Sequence, residues 1–145
     1  MANAIYDNHW LAQYGDPSGV HGVVDFEADT FRVYLVDTGT YTFSAAHADV
    51  ADLSGIEETS GNLTDFTTAV TAGVLTVDAG DITFSSVTGG TSIEAFVLAK
   101  WSGSAATSPL IAYVDTGVTG LPVTPGSGDD VVLAFHANGV LTIGT

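Results

Sequence analysis

Two stretches of the chain end an apolar run in the same way: Leu35-Val36-Asp37-Thr38-Gly39 and Tyr113-Val114-Asp115-Thr116-Gly117. Apolar-apolar-Asp-Thr-Gly is the form in which aspartic proteases present two carboxylates that share one proton and activate a water molecule. The same residues are also ordinary turn chemistry, because Asp hydrogen-bonds its own backbone two residues on and Gly accepts positive φ. Thr40 and Val118 follow the two motifs, where the protease motif usually continues with Ala or Ser. A two-lobed protease of that class also needs a much longer chain. Turn formation is therefore the expectation for Asp37 and Asp115, and an aspartic hydrolase is the alternative from another functional class.

The remaining polar residues offer less chemistry. His9, His21, His47 and His136 show neither His-x-x-x-His nor His-Glu-x-x-His spacing, so no zinc site is written in the sequence. Calcium suits oxygen ligands, and Asp129-Asp130 or Asp49, Asp52, Glu57 and Glu58 are the carboxylates that would supply them. No Asp-x-Asp-x-Asp-Gly loop organises them, and solvated carboxylates are the plainer reading. Gly-x-Ser-x-Gly and a Gly-rich loop ending in Gly-Lys-Ser/Thr are both absent. Neither an enzyme nor a cofactor or metal site is expected.

The elements that position these residues read as strands. Only 13% of residues are charged, and Thr, Ser, Gly and Asp make up the polar surface. Thr suits a pleated surface, while Gly, Asp and Asn suit turns. Seventeen glycines punctuate the chain. Alternation places strands at Phe31 to Val36, Tyr41 to Phe43, Phe66 to Val70, Val74 to Val77 and Ile82 to Val87. Ile93 to Ala99 and Leu110 to Val114 are almost continuously apolar, as in central strands covered on both faces. Ala45 to Leu53 is closer to a helical turn. Val131 to His136 and Val140 to Ile143 flank Asn138-Gly139, a strong hairpin signal because a type I′ turn needs two positive φ values. Gly120 to Asp130 is a Pro/Gly loop. The expectation is an all-β, single-domain β-sandwich or small barrel of about seven or eight antiparallel strands, occupying residues 26–145. Residues 1–25 carry few strand signals and are expected to form an N-terminal arm or extension that reaches a neighbouring subunit.

Composition narrows the partners. The 145 residues carry a formal charge of −15, with Lys+Arg 2 against Asp+Glu 17. Arg32 and Lys100 cannot neutralise a phosphate backbone, so neither nucleic acid nor an anionic membrane surface is an expected partner. With 46% hydrophobic residues and a mean hydropathy of +0.33, the chain has enough apolar surface to fold despite its charge. A domain of this length buries about 70% of its unfolded surface, so a core forms without disulfides, and there is no cysteine to make one. The first residues lack a basic and then apolar signal sequence, and the apolar runs fall short of the ~18 residues of a span, so synthesis in the cytoplasm is expected. Trp10, Tyr14 and Trp101 lie in segments without clean alternation. They are the interface candidates, since exposed aromatics are enriched at protein contacts, with plugging of the sandwich ends as the alternative.

Three long stretches then carry a likeness: Asp29 to Thr38, Tyr41 to His47, and Leu110 to Gly117 with Thr119 to Pro125. Together with Ala79-Gly80-Asp81-Ile82-Thr83-Phe84, they resemble a family of small proteins encoded among the structural genes of tailed bacteriophages. The likeness runs from about residue 25 to the C-terminus. It departs where an Asn-Gly-Gly-Asp loop and a Trp-Asp-Asn-Gly turn are common, since this chain has Gly126-Ser127-Gly128-Asp129 and Phe135-His136-Ala137-Asn138-Gly139. The resemblance implies a virion structural protein with no catalytic residues to carry over. An acidic domain fits the capsid exterior better than the DNA-facing interior. The expected role is a capsid decoration or cement protein, binding the outer surface of the major capsid protein shell as a homo-oligomer, a trimer being one such state. A tail-associated or host-recognition protein is the alternative on the same particle.

Overall fold

The computed structural model describes residues 3–14, 23–135 and 139–143, with backbone alone at 142 and 143. Among the described residues ten strands and one α-helix follow in chain order, besides short 3-10 turns at Val50–Asp52 and Ala105–Thr107: β1 (Ala4–Ile5), α1 (Asp7–Gln13), β2 (Phe31–Val36), β3 (Ile56–Thr59), β4 (Thr67–Thr71), β5 (Val74–Asp78), β6 (Ile82–Phe84), β7 (Ala95–Lys100), β8 (Leu110–Val114), β9 (Val131–Leu133) and β10 (Leu141–Ile143). They form a five-stranded sheet in the order β1-β8-β7-β2-β3, a three-stranded sheet β10-β5-β4 and a two-stranded sheet β6-β9. Every strand pair is antiparallel. The domain is all-β.

The central sheet is buried on both faces, as the unbroken apolar runs of β7 and β8 require. Alternation along β2 and β7 sends Phe31, Val33, Leu35, Phe96 and Leu98 into one core, where they meet Val77, Phe84, Val131, Leu133 and Leu141 of the smaller sheets. Tyr34, Val36, Ala95, Val97 and Ala99 face the other way. They are covered by Tyr6, Tyr41 and Val50, with Phe43 and Leu53 packed against them. The register between β7 and β8 passes from Leu98↔Ala112 to Ala99↔Leu110, so Ile111 is an inserted residue. This bulge lets both Ile111 and Ala112 enter the first core.

Several sequence expectations change. Among the described residues β9 and β10 do not pair with each other as the expected C-terminal hairpin would have them do; β9 pairs with β6 and β10 with β5. Asn138 itself lies outside the described residues. Burial decides the pairing: Leu133 and Leu141 both enter the first core, which they reach from different small sheets. Gly139, at φ 90°, passes so close to β5 that a Cβ would lie 2.5 Å from the Val77 carbonyl oxygen. The two-residue hairpin that does exist joins β4 to β5 through Ala72-Gly73, at φ 51° and 84°. Tyr41 to Phe43 is not a strand; Tyr41 instead closes the turn at Asp37 through its N–H on the Asp37 carbonyl, at 2.8 Å.

The N-terminal residues were expected to be an arm, and over residues 3–14 they lie on the chain's own sheet. Ala4 and Ile5 add an edge strand against Tyr113 and Ala112, and Tyr6 is fully buried. Such a short strand holds because side chains anchor it at both ends. Asn3 Oδ1 accepts the N–H groups of Asp115 and Thr116 at 3.0 Å each, and Tyr6 shares a 2.8 Å hydrogen bond with the Tyr41 hydroxyl.

Candidate interaction surface

The carboxylates of the two Asp-Thr-Gly turns come to one end of the central sheet, flanking Glu94. This follows from register: Val36 pairs with Ala95, and Phe96 pairs with Val114. Each carboxylate is engaged locally. Asp37 accepts the Gly39 N–H at 2.7 Å and the Thr40 hydroxyl at 3.0 Å, as a turn-capping Asp does. Glu94 accepts the Thr38 N–H at 2.9 Å. Asp115 stands beside Tyr113, whose hydroxyl is pushed up to about 12, first by burial and then by this neighbouring charge.

The calcium candidates are used in the same manner. Asp52 accepts the N–H groups of Ala48 and Asp49, which hold its carboxyl below the usual range. Asp129 caps Gly126, Asp130 receives the Ser86 N–H, and Glu58 receives that of Thr88. Among the described residues no group of three or more His, Asp or Glu side chains is arranged to hold a metal ion.

Of the histidines, His47 shares a 3.0 Å hydrogen bond with the Tyr41 hydroxyl, while His9 is 3% exposed and its Nδ1 has no hydrogen-bond partner. Burial lowers His9 to about 4. His21 and His136 lie outside the described residues.

The other end of the sheet is chemically opposite. Helix α1 buries Asn8, His9 and Ala12 and turns Asp7, Leu11 and Tyr14 outward, as the 3.6-residue period dictates. Trp10, half-buried, stacks on Tyr14 with ring centroids 5.9 Å apart. Tyr14 is 80% exposed and Leu11 46%. Gln13 Nε2 donates to the Val24 carbonyl at 3.0 Å, bringing the end of α1 against a second exposed apolar residue, Val23, at 60%.

The Val23 carbonyl also receives Lys100 Nζ at 3.3 Å, and Lys100 pairs with Asp29 at 2.7 Å. Next to Lys100, Trp101 lies beneath the Arg32 guanidinium, 4.1 Å from its ring centroid. Residues 23 and 24 thus connect the end of α1 to Lys100, the neighbour of Trp101 in the chain. Trp10 and Tyr14 form one aromatic pair, and Trp101 forms a separate cation–π pair. Both basic residues of the chain sit here, beside the carboxylates of Asp7 and Asp29.

Beside it, a cleft of about 590 Å³ opens between Ile5, Trp10, Phe96, Val114, Phe135 and Val140. The corner is apolar and aromatic, rimmed by charge, which is the anatomy of a protein contact. Sequence reasoning missed Leu11 and Val23, whose exposure depends on the short helix, and Arg32, whose position over Trp101 depends on the pairing of β2 with β7. In comparisons with protein-family models, with curated proteins and with solved structures, nothing matches the chain.

Proposed function

We propose that this chain is a non-enzymatic structural protein of a tailed-phage virion, a decoration or cement protein that binds the outer surface of the major capsid protein shell and stabilises it. One observation carries the reading: the exposed apolar residues Leu11, Tyr14 and Val23 beside α1, with Trp10 stacked on Tyr14, on a domain of net charge −15. A contiguous exposed apolar patch of this kind marks a binding surface. Its aromatic members are the residue types that dominate binding energy when seated in a partner's pocket. The likeness of residues 29–47 and 110–125 to phage structural proteins supports the choice of partner. The net charge of −15 supports an outward location, away from packaged DNA.

Many copies, each making a modest contact, would reinforce a shell through multivalency rather than through one strong interface. The test is co-sedimentation of the purified protein with particles lacking it. The wild type is expected to bind in stoichiometric amounts, and the double variant Leu11→Ser/Tyr14→Ser at least about ten-fold more weakly, a loss of about 1.4 kcal/mol or more. Equal binding by the double variant would remove the corner from the interface, and failure of the wild type to bind would remove the decoration role.

A further inference from the structure

We propose that the outer edge of β4 is a self-association site, where the strand pairs antiparallel with the same strand of a second copy about a two-fold axis at Ala69. Strand β4 lies at the edge of the three-stranded sheet, and all five of its residues are exposed, Val70 to 71%. It carries none of the devices that block edge pairing, having no Lys, no Pro and no bulge in its register with β5. No charged residue occurs from Phe66 to Val77, so two copies of a chain with charge −15 meet at this edge with the least repulsion.

The backbone geometry selects a second copy as the occupant. Thr71 pairs with Val74 around Ala72-Gly73, both at positive φ, as in a two-residue type I′ hairpin. In such a hairpin the closing pair is hydrogen-bonded. By alternation Thr67, Ala69 and Thr71 spend their N–H and C=O groups on β5, while Thr68 and Val70 direct theirs outward. A two-fold axis at Ala69 sets Thr68 of each copy against Val70 of the other. Each outward N–H then meets an outward carbonyl, giving two hydrogen-bonded pairs. Ala69 faces its own counterpart at the close, non-hydrogen-bonded position, where Cα atoms approach to about 4.5 Å and a small side chain is suited. The product is a continuous six-stranded sheet with an isologous interface.

The absence of cysteine makes the test clean. The wild type is expected to sediment at twice the 14.8 kDa chain mass at micromolar concentration. With oxidised glutathione, Ala69→Cys should form a disulfide-linked dimer that dithiothreitol reverses, because opposed Cβ atoms there lie within disulfide reach. Thr71→Cys, offset from its counterpart along the strand, should link roughly ten-fold less. Val70→Pro removes an outward N–H without touching the β5 ladder, and should yield a monomer with an unchanged circular dichroism spectrum. A monomeric wild type, a Val70→Pro dimer as tight as wild type, or equal cross-linking by the two cysteine variants would overturn the proposal. Should Val70→Pro fail to fold, the cysteine pair still decides.

Discussion

At one end of the central sheet, the ends of β2 and β8 and the start of β7 gather Asp37, Asp115 and Glu94. At the other end, α1 and the residues after β7 gather Trp10, Leu11, Tyr14 and Trp101 with Arg32 and Lys100. The first end holds the side chains that look most chemical in the sequence, and the turns use them: Asp37 accepts from Gly39 and Thr40, and Glu94 from Thr38. The second end leaves Leu11 and Tyr14 exposed, while Trp10, Trp101, Arg32 and Lys100 are half-buried. What a residue type can do in principle is thus a poor guide unless the local backbone leaves it free to act.

The comparison is broken most severely at Tyr6, which ties the N-terminal segment into the second core. Tyr6→Ala should lower the unfolding free energy by about 3–5 kcal/mol in urea denaturation, the usual loss for a buried aromatic. A loss under about 1 kcal/mol would mean that residues 3–14 are a detachable arm after all.

Acid separates the buried histidine of α1 from the carboxylate caps next. His9 lies on the helix that carries the corner, and burial lowers it from 6.5 to about 4. The unfolded chain therefore takes up this proton first as pH falls, and stability declines between pH 6.5 and 4. The loss by pH 5 is about 2 kcal/mol, and a His9→Phe variant should lack that slope. Carboxylate caps such as Asp52 work in a lower window. The Ala48 and Asp49 N–H groups hold Asp52 below the usual carboxylate range, so its contribution is present above that range and is lost only as pH falls through its lowered value. An identical pH dependence in wild type and His9→Phe would contradict this order.

The carboxylate end can be tested through Asn3, which accepts from Asp115 and Thr116 and donates to the Thr116 carbonyl at 3.1 Å. Asn3→Ala and Asp37→Ala should each lose about 1–2 kcal/mol of stability with particle binding unchanged. The smallest effect on folding belongs to Tyr14→Ser, expected within about 0.5 kcal/mol of wild type because the side chain is solvated, yet with clearly weaker particle binding. A reversal, with Asp37→Ala weakening binding and Tyr14→Ser leaving it intact, would exchange the roles of the two ends.

The interior of the fold was legible where runs are long and apolar. Phe31 to Val36, Ile93 to Ala99 and Leu110 to Val114 contain β2, most of β7 and β8, and the turn role of Asp37 followed from side-chain length alone. The N-terminal elements were not legible, because two residues of β1 and seven of α1 are too short for any period to show. Asn3 and Tyr6 specify them through partners more than thirty residues away. The strand pairing expected from the Asn-Gly signal is absent among the described residues for a related reason. It reports a local turn preference, whereas burial of Leu133 and Leu141 sends the flanking strands to different sheets. Trp10, Tyr14 and Trp101 stand out in the sequence because their segments lack alternation. Their convergence, and the part played by Val23, Arg32 and Lys100, depends on tertiary pairing.

The most direct test is cryo-electron microscopy of the purified particle from which the gene comes. The account predicts on the order of hundreds of copies over the capsomers, related by the shell's symmetry, with the Trp10–Tyr14 corner against the major capsid protein. Density confined to the tail, or none, would contradict it.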